Sequence, residues 1–249
     1  MLSILVPLDE SPAAEAVLPL VGALAGRADA RLILVRVPDR PPPGVRPYEV
    51  SGGAVSYAEE YLAGTADRLR ALGLRAESET LPEGPVPQAV LDAVREKGAD
   101  LVAMATHGRS GLGRWTYGNV TNGVVARCPV PVLLARSWLG GDEGAAVRDG
   151  LTVLAPQDGS STSAKALPYA RWLAGAMGVE VRSFQAPERP GPAVSEEAQR
   201  LDAALVVMST HGRGAPGRQV LGGVADYVLR VGTRALVLVG SAVAERGGS

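Results

Sequence analysis

Short apolar runs alternate with longer amphipathic stretches along this chain, and the alternation is written twice. Residues 2–8 form a short, mainly apolar run, the pattern of a strand buried within a parallel sheet. Asp9-Glu10-Ser11-Pro12 follows; Ser11 suits a helix N-cap and Pro12 the first helical turn. Residues 13–27 then read as one apolar-faced helix. The pattern continues with a strand at 31–37, an exposed Pro- and Gly-rich loop at 38–53, a helix at 57–72, a strand at 74–81 and a helix at 85–97. A strand at 100–105, a helix at 118–127 and a strand at 130–135 complete the unit. Residues 137–150, with Gly140, Gly141, Gly144 and Gly150 among small and charged residues, read as a linker.

The order then restarts: strand 151–155, helix 163–177, strand 179–185, short helix 195–203, strand 205–208, helix 219–231 and strand 235–239. Alternating strands and helices imply an α/β fold, here two open, mostly parallel, doubly wound sheets in tandem. The expected domains are residues 1–136 and 151–241, with 242–249 as a tail.

Direct repetition supports this division. Met104-Ala-Thr-His107-Gly108-Arg109 recurs as Met208-Ser-Thr-His211-Gly212-Arg213, and Gly113, Arg114 and Gly118 recur as Gly217, Arg218 and Gly222, all at an offset of 104. Pro7-Leu8-Asp9-Glu10-Ser11 matches Pro156-Gln157-Asp158-Gly159-Ser160 at an offset of 149. Between the two blocks the second copy is therefore shorter by 45 residues, about one helix, one strand and their loop. Four strands are expected in the second sheet against five in the first.

The composition narrows the function. A length of 249 residues with 46% apolar content fits two folded domains, and a formal net charge of −1 argues against a nucleic-acid binder working by bulk charge. The single cysteine, Cys128, excludes an intrachain disulfide and reads as a packed small side chain. The first residues carry no basic leader and break at Pro7, and no run is long enough to span a bilayer, so the expectation is a cytoplasmic protein without a membrane partner.

The repeated glycine segment is the strongest chemical signal. Small residues let backbone N–H groups approach phosphate oxygens, the helix that follows adds its N-terminal dipole, and Arg109 and Arg114, with Arg213 matching Arg109 in the second copy, offer planar donors. The alternative is a tight strand-to-helix turn with solvated arginines. Asp9 and Asp158 could cap the helices after them or accept hydrogen bonds from a ribose or an adenine amino group. His107 and His211, one per unit, make a poor zinc site. No Asp or Glu lies between Arg109 and Tyr117 or between Arg213 and Leu221 to assist a catalytic base. A loop or phosphate-contact role fits them better, with no catalytic residue and no metal ligand assigned. The P-loop, dinucleotide-binding and nucleophile-elbow patterns are all absent.

On these residues the chain resembles the universal stress protein family in its tandem form, across nearly all of residues 1–240. Nucleotide-binding members carry Gly-x2-Gly-x9-Gly-Ser/Thr after the fourth strand. Here the copies read Ala105-x2-Gly108-x9-Gly118-Asn119 and Ser209-x2-Gly212-x9-Gly222-Gly223. The spacing is kept, but the first glycine and the final hydroxyl residue are replaced in both.

The resemblance implies an adenine-nucleotide alpha-hydrolase-like fold with strand order 3-2-1-4-5 and a site for ATP, which ordinarily brings Mg²⁺. Pro7, Leu8, Asp9 and Val37 would line the adenine and ribose side. Met104 and Ala105 would lie beneath the base, and His107, Gly108, Gly118, Asn119 and Val120 would meet the phosphates. The second set is Pro156, Gln157, Asp158, Ala186, Met208, Ser209, Gly212, Gly222, Gly223 and Val224. Strands 130–135 and 235–239 could pair within the chain as a built-in pseudo-dimer; a further homo-oligomer and an unidentified protein partner are left open.

The leading function is an ATP-binding stress sensor or regulator without efficient catalysis. The alternatives are a nucleotide-independent interaction module of the same fold and a very slow ATP hydrolase.

Overall fold

A computed structural model describes residues 1–38, 53–106, 118–136, 143–186, 190–210 and 221–244. The first strands and helices are β1 (Ser3–Pro7), α1 (Pro12–Glu15), α2 (Leu18–Ala28), β2 (Arg31–Arg36), α3 (Gly53–Ala71), β3 (Arg75–Thr80), α4 (Val86–Glu96), β4 (Leu101–Ala105), α5 (Asn119–Val125) and β5 (Val132–Ala135). α6 (Glu143–Asp149) occupies the connection between the halves. The second set is β6 (Thr152–Gln157), α7 (Ser161–Ala164), α8 (Ala166–Met177), β7 (Glu180–Gln185), α9 (Pro190–Arg200), β8 (Ala203–Ser209), α10 (Gly223–Val231) and β9 (Ala235–Val239).

All nine strands form one sheet, ordered β3-β2-β1-β4-β5-β9-β8-β6-β7. The first half has the order 3-2-1-4-5. The second has four strands and lacks the counterparts of α3 and β3, as the 45-residue shortfall requires. Every neighbouring pair is parallel except β5 and β9, which run antiparallel through Val132–Leu238, Leu133–Val237 and Leu134–Leu236. Strands 5 of the two halves thus pair within the chain. One face of the sheet packs against α1, α2, α3, α6 and α8, and the other against α4, α5, α9 and α10.

The helix expected over 13–27 is two helices, and so is its second copy over 163–177. Pro19 and Pro168 stand at the same place in each. A proline ring collides with the carbonyl four residues back and brings no N–H. α1 ends at Glu15, four before Pro19, and α7 ends at Ala164, four before Pro168. The stretch read as a linker contains α6, anchored by fully buried Val147. Arg27 of α2 clamps it in place: its guanidinium donates to the carbonyls of Val147, Arg148 and Gly150 at 2.9, 3.0 and 2.6 Å and to that of Met177, at the end of α8, at 3.0 Å. Carbonyls at helix C-termini carry the negative end of the dipole, so one cation serves two helix ends.

The α4–α5 contact and its repeat, α9–α10, show how the copies diverged while keeping their volume. A Cβ on Gly123 would lie 2.9 Å from Pro87; at the same two positions of the repeat, a Cβ on Gly191 would lie 2.7 Å from the Tyr227 ring. The small and large partners have exchanged helices. Gly191→Ala is therefore expected to lower stability by about 1–3 kcal/mol in urea denaturation, and to cost much less in a Tyr227→Ala background.

Candidate functional site

In an open parallel sheet a crevice forms where consecutive connections leave on opposite faces. Here β1 leads to α2 on one face and its neighbour β4 leads to α5 on the other. The paired register Leu5–Val102, continued upward, sets Asp9 level with Thr106; Leu154–Val206 in the repeat sets Asp158 level with Thr210. Because β5 and β9 are antiparallel, the two crevices open at opposite ends of the shared sheet.

Asp9 and Asp158 do the same work in each crevice. The Asp9 Oδ1 accepts from the Ser11 N–H at 3.1 Å and from its hydroxyl at 2.6 Å, and the Asp158 Oδ1 accepts from Ser160 at 2.9 and 2.6 Å. Each serine Oγ in turn accepts an N–H of the following helix, Ala14 or Ser163, at 3.0 Å. The aspartate thus orients the cap, and the serine is the N-cap itself. The residue between them is left-handed in both copies, Glu10 at φ 66° and Gly159 at φ 74°. Glu10 is ion-paired with Arg36, a buried guanidinium at the end of β2 that lies 5.8 Å from the Tyr61 ring centre. At the corresponding place in the repeat stands exposed Gln185.

The far side of each crevice is also duplicated. The Gly118 N–H donates to the Thr106 carbonyl at 3.4 Å and the Gly222 N–H to the Thr210 carbonyl at 2.6 Å, so each glycine is held against the end of its strand. Gly118 (φ −55°, ψ 151°) and Gly222 (φ −65°, ψ 154°) are the N-caps of α5 and α10, and neither has a side chain to cap the free N–H groups of the first turn. Asn119 and Gly223, the first helical residues, are exposed; Val120 and Val224, the next, are half-buried.

The sequence matches the universal stress protein family over residues 1–136 and 178–240, well over half the chain. The chain belongs to the universal stress protein family. A universal stress protein of Thermus aquaticus is 35% identical over 71 residues, 28% of this chain and 52% of that relative. The chain thus spans about half the length of that relative. A universal stress protein from Archaeoglobus fulgidus has the same fold (20% identity, TM-score 0.73, covering 96% of this chain and 98% of that one). So does a functionally unknown protein of Pseudomonas aeruginosa PAO1 (15% identity, TM-score 0.66, 96% and 92% covered).

Within this universal stress protein, Pro7, Leu8, Asp9, Val37, Met104, Ala105, Gly118, Asn119 and Val120 gather at the ends of β1, β2 and β4 and the start of α5. Pro156, Gln157, Asp158, Ala186, Met208, Ser209, Gly222, Gly223 and Val224 gather likewise in the repeat. Met104, Ala105, Met208 and Ser209 are buried at the floor. His107, Gly108, Arg109, His211, Gly212 and Arg213 lie outside the described residues. Thr106 and Thr210 were not singled out from the sequence, although their shared offset of 104 was the available signal.

Two other features lie away from the crevices. Cys128 is buried between α5 and β5, and burial pushes its thiol up to about 11, so it stays protonated at neutral pH. A groove of about 790 Å³ runs between α2 and α3, lined by Leu18, Ala23, Leu69, Leu72 and Leu74. Two of its arginines are engaged, Arg27 with helix-end carbonyls and Arg68 with Glu15. No helix among the described residues is long and apolar enough to cross a membrane.

Ser11→Ala and Ser160→Ala each remove a cap and the hydroxyl that donates to the aspartate two residues earlier, while the backbone N–H donor to that aspartate stays. Each is expected to lower stability by about 1 kcal/mol, read by chemical denaturation, and the double variant to lose about the sum because the two caps share no neighbours.

Proposed function

We propose that this chain is an ATP-binding stress regulator in which the nucleotide sets the shape of the crevice loops and so biases binding to a protein partner, without efficient turnover. The observation that carries the reading is the pair of helix starts, at Gly118 and Gly222, that present uncapped N–H groups beside an aspartate loop, in two copies with matching dihedral angles. Such a helix start favours phosphate through both its donors and its dipole. The backbone fits the group: among the described residues a Cβ on Gly118 would meet nothing within 4 Å, which leaves room for a close approach.

In this reading Pro7, Leu8, Asp9 and Val37 take the adenine and ribose, Met104 and Ala105 support the base, and Gly118, Asn119 and Val120 meet the phosphates with His107, Gly108 and Arg109. The repeat uses Pro156, Gln157, Asp158, Ala186, Met208, Ser209, His211, Gly212, Arg213, Gly222, Gly223 and Val224 in the same roles. Bound ATP would bring Mg²⁺ as its counter-ion. Residues 1–136 and 151–241 are two domains joined as an intrachain pseudo-dimer, working in the cytoplasm.

A second reading, a nucleotide-independent interaction module, is favoured by Gly223, which offers no side chain where the family has a hydroxyl, and by the shortened second unit. Calorimetric titration of the nucleotide-stripped protein with ATP separates the two. Two sites are expected, one abolished by Gly118→Val and the other by Gly222→Val, with the fold kept because both glycines have dihedral angles that valine adopts. No binding at millimolar ATP would select the interaction module, and rapid steady ATP turnover would contradict the regulator.

A further inference from the structure

We propose that the two crevices are unequal: the one at β1 and β4 takes ATP the more tightly, and the one at β6 and β8 discriminates against the triphosphate. The inference rests on the ATP reading above and deepens it. Two independent contrasts between the copies carry it.

The first is charge at the phosphate end. α5 begins Asn119-Val-Thr-Asn122, whereas α10 begins Gly223-Val-Ala-Asp226. Asn119 is exposed and brings an amide donor that Gly223 lacks. Asp226 puts a carboxylate in the first turn of α10, where α5 has the neutral Asn122. A negative charge there offsets part of the attraction that the helix start exerts on an anion. Arg230 pairs with Asp226 at 2.9 Å, but it stands a full turn further from the helix start. Each added phosphate on the nucleotide meets this difference more strongly.

The second is order at the adenosine end. A glutamate at φ 66° holds that conformation only when its surroundings impose it. Glu10 is imposed upon by its ion pair with Arg36, which is 5% exposed and stacked near Tyr61 of α3. The repeat has lost α3 altogether and carries Gly159 and exposed Gln185 at these places. Glycine leaves the left-handed region freely, so the Asp158 loop is held by its Asp–Ser bonds, whereas the Asp9 loop is held by the same bonds and by the Glu10–Arg36 pair as well; the stiffer loop loses less freedom on binding, and preorganisation raises affinity. Glu10 and Arg36 are positioning residues: they act through Asp9.

Calorimetry with ATP and with adenosine tests this. The Gly222→Val variant reports the first crevice alone and Gly118→Val the second. ATP is expected to bind the first crevice roughly tenfold to a hundredfold more tightly, the range one charge-assisted hydrogen bond commands, and adenosine to differ less. In the Gly118→Val background, Asp226→Asn is expected to raise the affinity for ATP and leave that for adenosine unchanged. In the Gly222→Val background, the pair Glu10→Gly and Arg36→Gln, which copies Gly159 and Gln185, is expected to weaken ATP and adenosine by the same factor, a selectivity that general loss of structure would not produce. Equal ATP affinities, the reverse order, or an Asp226→Asn variant without effect would overturn the inequality. Absence of binding by both ATP and adenosine in the unsubstituted chain would overturn the ATP reading itself.

Discussion

The antiparallel pairing of β5 with β9 is the constraint on which the rest of the molecule depends. Its six paired residues, Val132, Leu133, Leu134, Leu236, Val237 and Leu238, are at most 2% exposed. Their side chains belong to the cores on both faces of the sheet, so parting the two strands would open both cores at once. The halves therefore behave as one sheet. Arg27 reinforces the join on the helical face, where it gathers the C-terminal carbonyls of α6 and α8. Because the seam is antiparallel, the crevices face opposite ends of the molecule, and a ligand in one does not touch a ligand in the other. Communication between them would run through the seam or through the α2–α6–α8 contact that Arg27 holds.

Against that fixed frame, the second copy has been free to change. Without α3 and β3 it leaves β7 at the sheet edge, and the strand is written accordingly: Glu180, Arg182, Ser183 and Gln185 are exposed, whereas their counterparts on β2 are almost all buried. Charged side chains on an edge strand oppose pairing with other chains. The exchange of Gly123 and Pro87 for Tyr227 and Gly191 shows volume conserved across a helix contact while both residue types changed. What did not change is the local chemistry at the strand ends: the Asp–Ser caps, the left-handed residue between them, and the threonine carbonyl that receives the glycine N–H.

Most of the architecture was legible in the sequence because the repeats could be aligned. The shift of offset from 149 to 104 located the missing helix and strand, the alternation gave the open parallel sheet, and the strand order came from the family resemblance. The break of the first helix was less legible because apolar periodicity runs through Pro19 without interruption; the proline's effect falls four residues earlier, at Glu15. α6 was hidden because Val147 is a single apolar anchor among glycines and charges. The Glu10–Arg36 pair could not be read, since it joins residues 26 apart that only the parallel register of β1 and β2 brings together. The aspartates carried two readings; the structure shows them orienting serine caps, a role compatible with a ligand at the same loop.

Amide hydrogen exchange of the nucleotide-stripped chain, with and without ATP, tests most directly whether the strand-end crevices are the site. The account expects added protection in peptides covering 7–12 with 104–120, and 156–161 with 208–224, and little change over α2 and α3. Protection centred on the groove between α2 and α3, or unchanged exchange at both sets of strand ends under saturating ATP, would contradict it.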